Sequence, residues 1–218
     1  MKPRAVIFDM DGLLLDSERV YLRTFMEACQ SLGLDIPDAL FKRCIGTNGK
    51  RSRQILTEGC PGLPYDELMA QWKVRYTPEI LERPLPVKAG ARSLLTRLVD
   101  AGVPCVVATS TDRERAFLKL EKADLDHHFQ FVVGGDEVSN GKPDPEIYRV
   151  AAERVGVIAH ACLALEDSDN GVRAAHGAGI PVVQVPDLVA PAPDVLALGH
   201  VVVESLSQVE DSLFSDAL

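Results

Sequence analysis

From residue 103 to the C-terminus, short apolar runs alternate with amphipathic segments, and no other feature of the chain restricts its possible folds so strongly. The runs occupy 103–108, 129–133, 162–165, 180–185 and 200–203, and helical periodicity occupies 90–101, 112–122, 145–156, 170–178 and 206–213. Runs that are apolar throughout suit strands buried on both faces, and strict strand–helix alternation suits a parallel sheet with helices on either side. Ala5-Val6-Ile7-Phe8 adds one more such strand near the N-terminus.

Between that strand and residue 90 the pattern is helical. Val20, Phe25, Cys29 and Leu32 recur near the 3.6-residue period, with Gly33 placed to end the helix. Leu68, Met69, Trp72 and Tyr76 form a second stripe, read as core. Glu82-Arg83-Pro84-Leu85-Pro86 then breaks the helix with a stiff connector. The predicted fold class is α/β: a doubly wound, Rossmann-like parallel sheet core over residues 1–15 and 84–218, with an α-helical cap domain over 16–83 inserted after the first strand.

Ligands of such sheets sit beyond the carboxyl ends of the strands. The first strand ends in Asp9-Met10-Asp11-Gly12. If the backbone stays extended through Met10, both carboxylates point the same way, and the pair then needs a cation, a shared proton or water; an acid pair after a strand also simply opens a turn. The next strand leads into Ser110-Thr111-Asp112, where Thr111 and Glu114 have capping-box spacing. A helix is therefore expected to start close to Ser110 and to offer backbone N–H groups to an anion. Lys142 lies between Gly141 and Pro143, on a stiffened approach to a helix. The strand at 162–165 ends in Glu166-Asp167-Ser168-Asp169, with Ser168 or Asp169 available as a helix cap. Carboxylates at Asp9, Asp11, Glu166 and Asp167 would repel one another unless a hard divalent cation joined them. All-oxygen ligation points to Mg2+, and Mg2+ favours phosphate. Ser110, Lys142 and a helix N-terminus would complete a site for phosphoryl oxygens.

A formal net charge of −9 argues against nonspecific binding of nucleic acid. The five cysteines are scattered without a Cys-x-x-Cys pair and read as reduced thiols. The apolar stretch before Asp9 is too short for a signal-peptide core and no run reaches membrane-spanning length. The expectation is a cytoplasmic protein with a small phosphorylated metabolite as partner, no nucleic acid and no membrane. A monomer is expected, with an oligomer left open.

Asp9-Met10-Asp11-Gly12, Ser110, Lys142-Pro143 and Glu166-Asp167 closely resemble, in order, the four motifs of the haloacid dehalogenase superfamily of phosphotransferases. Gly12 to Glu18 and the helical insert resemble its branch with an α-helical cap, which includes β-phosphoglucomutase and many sugar- and nucleotide-phosphate phosphatases. Phe8 to Tyr21 is similar to the same segment of pseudouridine-5′-phosphatase. The resemblance implies a Mg2+-dependent phosphoric monoester hydrolase that acts on a sugar or nucleotide phosphate through an aspartyl phosphate. By position, Asp9 would be the nucleophile and Asp11 the general acid/base. The neighbouring carboxylates would help Asp11 keep its proton. Asp9 and Asp167 would bind the metal directly, Asp11 through its backbone carbonyl, and Glu166 through water or as a support. Ser110 and Lys142 would hold the transferring group, with the backbone N–H of Met10 and Thr111 as further donors. The loop from Ile45 to Arg51 stands where relatives carry a substrate-reading loop, which assigns Gly46, Thr47, Lys50 and Arg51 to substrate binding, with Arg53 nearby. Hinges are expected near Leu14 to Ser17 and Glu82 to Pro86.

Two alternatives stand beside this reading. A sugar phosphomutase would carry a histidine where this chain has Tyr21. A phospho-accepting receiver domain would have no second acid two residues after its nucleophile, and no cap.

Overall fold

A computed structural model describes residues 2–45, 47 and 49–215, the side chain of Leu81 excepted. After β1 (Ala5–Phe8) come α1 (Ser17–Ser31), α2 (Asp38–Lys42), α3 (Gly49–Gly59), α4 (Tyr65–Thr77), a short π-helix over Pro78–Glu82, and α5 (Ala91–Asp100). The remainder alternates as β2 (Cys105–Ala108), α6 (Arg113–Lys122), β3 (Val132–Val133), α7 (Glu146–Val155), β4 (Cys162–Glu166), α8 (Asp169–Gly177), β5 (Val182–Gln184), α9 (Pro193–Leu196), β6 (Val201–Val202) and α10 (Leu206–Phe214). The six strands pair in parallel in the order β3-β2-β1-β4-β5-β6, with helices on both faces.

Period-two alternation divides the strand residues between two cores. Val6, Phe8, Val107 and Leu165 pack with Leu94 and Leu98 of α5, Leu120 of α6 and Leu206 of α10. Ala5, Ile7, Val106 and Ala164 pack with Ile147 and Tyr148 of α7 and Val172 of α8. The run expected as a strand over 129–133 contributes only Val132–Val133, following a 3-10 turn at Asp126–His128, although Gln130 and Phe131 already exchange hydrogen bonds with Cys105 and Val107 of β2.

Helices α1 to α4 share a third core, in which Phe25, Cys29, Phe41, Ile55, Leu56 and Leu68 are buried. The Phe25 and Phe41 rings lie 4.8 Å apart, and the Trp72 indole N–H donates to the Tyr21 carbonyl at 3.2 Å and to Thr24 Oγ1 at 3.0 Å. The segments that lead into and out of these helices touch each other. Leu15 bridges to Val87 in antiparallel fashion, Asp16 N–H donates to the Pro86 carbonyl at 2.8 Å, and Lys88 N–H donates to the Leu14 carbonyl at 2.9 Å. Asp187 Oδ1, beyond β5, accepts from Arg19 of α1 at 2.7 Å and from Lys88 at 2.6 Å. No helix among the described residues is long and apolar enough to cross a membrane.

Candidate active site

β1 lies between β2 and β4, so the loops that follow these three strands open at one point on the sheet's carboxyl edge. Asp9 is still tied to the ladder, its N–H donating to the Leu165 carbonyl at 2.9 Å. Lys142 reaches this edge and is buried. Its ammonium donates to Asp9 Oδ1 at 2.6 Å, Glu166 Oε1 at 2.5 Å and the Ala108 carbonyl at 3.0 Å, which uses all three of its N–H bonds. Glu166 is wholly buried and also accepts from Tyr148 OH, and from Ser168 Oγ at 3.3 Å. Ser168 accepts from Gly171 N–H in turn and caps α8.

Two glycines keep room for these acids. A Cβ at Gly12, where φ is +88°, would collide with the Asp167 carboxylate, and one at Gly171 would collide with the Glu166 carboxylate. Oxygens of Asp9, Glu166 and Asp167 consequently lie within 4.8 Å of one another. Burial pushes the Asp9 carboxyl up to about 7 against the pull of Lys142. Asp167 is raised well above the carboxylate range by burial, and then by the charges of Asp9 and Glu166. Lys142 stays protonated because its two acid partners outweigh the cost of burial. Three crowded carboxyls with one cation among them form a hard-oxygen donor set short of positive charge, and a small divalent ion fits it.

The Asp11 side chain stands outside that triad, in a clamp of its own. Its oxygens accept from Ser17 Oγ at 2.5 Å, Thr111 Oγ1 at 2.7 Å and Lys119 Nζ at 2.7 Å. Lys119 is buried on α6 and also donates to Tyr21 OH at 3.1 Å. Burial raises Asp11, but Lys119 and the two hydroxyls outweigh it and hold the carboxyl below its usual range. The expectation that neighbouring carboxylates keep a proton on Asp11 is thus overturned, since the nearest charge is a cation.

Thr111 is also corrected as a helix cap. Its hydroxyl is spent on Asp11, and its N–H donates to Thr109 Oγ1 at 3.2 Å. Asp112 caps α6 instead, accepting from Arg115 N–H at 3.0 Å, while Arg113 N–H donates to Asp136 Oδ1 at 2.7 Å. The helix starts at Arg113 rather than near Ser110, and those two N–H groups are not open to an anion.

Above the acids lies a cavity of about 330 Å³. Asp9, Asp11, Ser110, Thr111, Lys142 and Asp167 line it, so the structure brings these sequence-predicted residues together. Thr47 also lines it, held by hydrogen bonds to the Cys44 carbonyl at 2.7 Å and to Ser52 Oγ at 2.7 Å. Lys50 and Arg51 do not line it; both are exposed on the first turn of α3, and Arg51 donates to Gln54 at 2.8 Å. Arg53 pairs with Asp66 at 3.0 Å. Gly46 lies outside the described residues. The stripe on α4 is core on one side only. Leu68 is buried, whereas Met69, Trp72 and Tyr76 also face the cavity.

Two lining or supporting residues escaped the sequence reading. Lys119 sits three and one residues from the buried Ala116 and Leu120, on the inward side of α6. A lysine at that helical spacing was the available signal. Glu18 lines the cavity, and burial followed by the Asp11 charge pushes its carboxyl up to about 8.

Comparison with known proteins gives a consistent pattern. A family model described as haloacid dehalogenase-like hydrolase matches residues 6–185. A Thermotoga maritima protein named phosphorylated carbohydrates phosphatase is 35% identical over 81% of this chain and 82% of its own length. A Drosophila melanogaster protein named probable pseudouridine-5′-phosphatase is 37% identical over 83% of this chain and 80% of its own. Among solved structures, a variant of CbbY from Rhodobacter sphaeroides in complex with xylulose-1,5-bisphosphate superposes with a TM-score of 0.73. It is 26% identical, covering 94% of this chain and 96% of that one.

Proposed function

Because the chain belongs to the haloacid dehalogenase-like hydrolases, we propose that it is a Mg2+-dependent phosphatase that hydrolyses the phosphate monoester of a small metabolite, a sugar or a nucleotide, through an aspartyl phosphate. The observation that carries this reading is the division of labour between the two acids of β1's end. Asp9 lies in the triad beside Lys142, and Asp11 is clamped apart from it by Ser17, Thr111 and Lys119.

Asp9 attacks phosphorus, and the P–O bond to the alcohol breaks. The departing oxygen needs a proton, and Asp11, which lines the cavity outside the triad and acts on Asp9 through its charge, supplies it. The negative charge of an arriving phosphate raises the proton affinity of Asp11 for that step. Asp11 then takes a proton from the water that attacks the aspartyl phosphate, and inorganic phosphate leaves. Ser110 holds a phosphoryl oxygen and the Lys142 ammonium beside Asp9 offsets the charge of the transferring group, whereas the Thr111 N–H, expected as a further donor, is taken by Thr109 Oγ1. Asp9, Asp167 and the Asp11 carbonyl would hold Mg2+, supported by Glu166, and the bound ion would neutralise the acids and stabilise charge on the transferring group. Residues 16–83 form the cap that covers the reaction, with Thr47 in its substrate-facing loop. The names of the two relatives, a carbohydrate-phosphate and a nucleotide phosphatase, support a small phosphorylated metabolite.

Turnover of p-nitrophenyl phosphate with Mg2+ tests the proposal. Activity should vanish on chelation and fall by several orders of magnitude in Asp9→Asn, whereas wild-type turnover in that variant overturns the nucleophile. The mutase alternative makes a separate demand: sugar bisphosphate must accelerate isomerisation of a sugar monophosphate, and no acceleration is expected.

A further inference from the structure

We propose that Gln184 is a positioning residue for the metal site: its side-chain amide pins the backbone under Asp167, and His200, just before the edge strand β6, fixes the direction of that amide. The inference rests on the phosphatase reading, in which Asp167 binds Mg2+ directly.

Gln184 is the polar residue of the otherwise apolar run Ile180-Pro181-Val182-Val183-Gln184-Val185. It is 1% exposed, and a buried amide is costly unless both of its ends are bonded. In the β5 ladder it stands opposite Glu166, and the next residue, Val185, donates its N–H to the Glu166 carbonyl at 2.7 Å. Gln184 Nε2 donates to the Asp167 carbonyl at 3.2 Å and to Asp169 Oδ1 at 3.3 Å, while Oε1 lies 2.8 Å from His200 Nε2. A carbonyl and a carboxylate only accept, so the amide nitrogen faces them. The oxygen then faces the imidazole, and His200 Nε2 carries the hydrogen. Asp169 Oδ2 also accepts from Ala192 N–H at 3.1 Å, which ties the segment after β5 to the same turn.

The pin acts where the site is least restrained. Oxygens of Asp9, Glu166 and Asp167 lie within 4.8 Å of one another, and their repulsion drives them apart whenever no cation joins them. Asp9 is tied to Lys142, and Glu166 to Lys142 and Tyr148. The Asp167 carboxylate accepts from no side chain or N–H among the described residues. Its place is therefore set by its backbone, and Gln184 holds that backbone from the neighbouring strand. An apolar residue at 184 would serve the packing of the sheet equally well but would leave the turn free to yield. Groups that orient a metal ligand in this way typically govern affinity for the ion.

Calorimetric titration of the full chain with Mg2+ tests the inference. Gln184→Met keeps the bulk, removes the amide and should weaken Mg2+ binding by about tenfold. His200→Ala frees the amide to turn and should give a smaller loss. His200→Gln, whose amide nitrogen falls near the place of the imidazole Nε2, should restore the affinity. Leu98→Ala, which opens a cavity in the core on the other face of the sheet, should lower Tm and leave Mg2+ affinity unchanged. Wild-type affinity in Gln184→Met, an equal loss in Leu98→Ala, or identical affinities in His200→Ala and His200→Gln overturns the inference. Should Gln184→Met fail to fold, the two His200 variants decide it by the last of these comparisons. Failure of the underlying phosphatase reading looks different, since the wild type itself would then take up no Mg2+, and the inference would fall with it.

Discussion

At the residue scale the instructive case is Lys119. An ammonium with almost no solvent exposure is held 2.7 Å from Asp11, 108 positions away in sequence. Removing it in Lys119→Met leaves a largely buried carboxylate without its cation and should cost about 3 kcal/mol of stability. Asp11 is lowered and Lys119 raised by folding. The pair's stabilisation is therefore complete between the ordinary values of a free aspartate and a free lysine, and fades as pH falls through the lowered Asp11 value or rises through the raised Lys119 value. Urea titrations should show the widest gap between wild type and Lys119→Met near neutrality and a narrower gap in acid. Kinetically, p-nitrophenolate leaves without a proton, so the variant should keep its burst of nitrophenol and lose about a hundredfold in the steady rate, for which the proposed mechanism uses Asp11 as base. A burst lost in parallel with turnover would contradict this division. Asp9, Asp11 and Lys142 were legible because acids and a pinned lysine follow apolar strands. Lys119 was not, because helical periodicity says which way a side chain points and not what waits there.

At the element scale, the turn from β4 into α8 shows how tightly geometry and chemistry are bound. Ser168 caps the helix, and the missing side chain of Gly171 leaves room for Glu166. Gly171→Ala puts a methyl group where that carboxylate lies. It should depress Tm by several degrees and weaken Mg2+ binding, with calorimetry and metal titration as the checks. An alanine variant with wild-type metal affinity would show that Glu166 does not have to stay where it is. The start of α6 departs from the expectation for an equally local reason. Thr111 and Glu114 have the spacing of a capping box, but Asp11 from the loop after β1 takes the threonine, and Asp112 beside it takes over the cap. The stripe on α4 was half right, since periodicity marks a buried face without distinguishing packed core from the wall of a cavity.

At the scale of the whole molecule, the parallel sheet was legible from strand–helix alternation, and with it the carboxyl edge where the acids meet, whereas the strand order that puts β1 between β2 and β4 was not. The contents of the cavity were not, because they depend on how the inserted helices lie over the sheet. Since the triad repels itself, an ion that binds the folded chain should raise Tm in proportion to the logarithm of free Mg2+, and Asp167→Asn should flatten that dependence. Identical slopes in the two proteins would remove Asp167 from the metal site. The clamp on Asp11 has a mechanical consequence. Ser17 and Tyr21 ride on α1, whereas Thr111 and Lys119 belong to the start and the body of the β2–α6 unit. Any tilt that parts α1 from α6 strips Ser17 from the acid and Tyr21 from the lysine while leaving Asp9, Lys142 and Glu166 undisturbed. The joint thus works as an interlock, in which the carboxyl proposed to handle protons is fully seated only while α1 and α6 stay together.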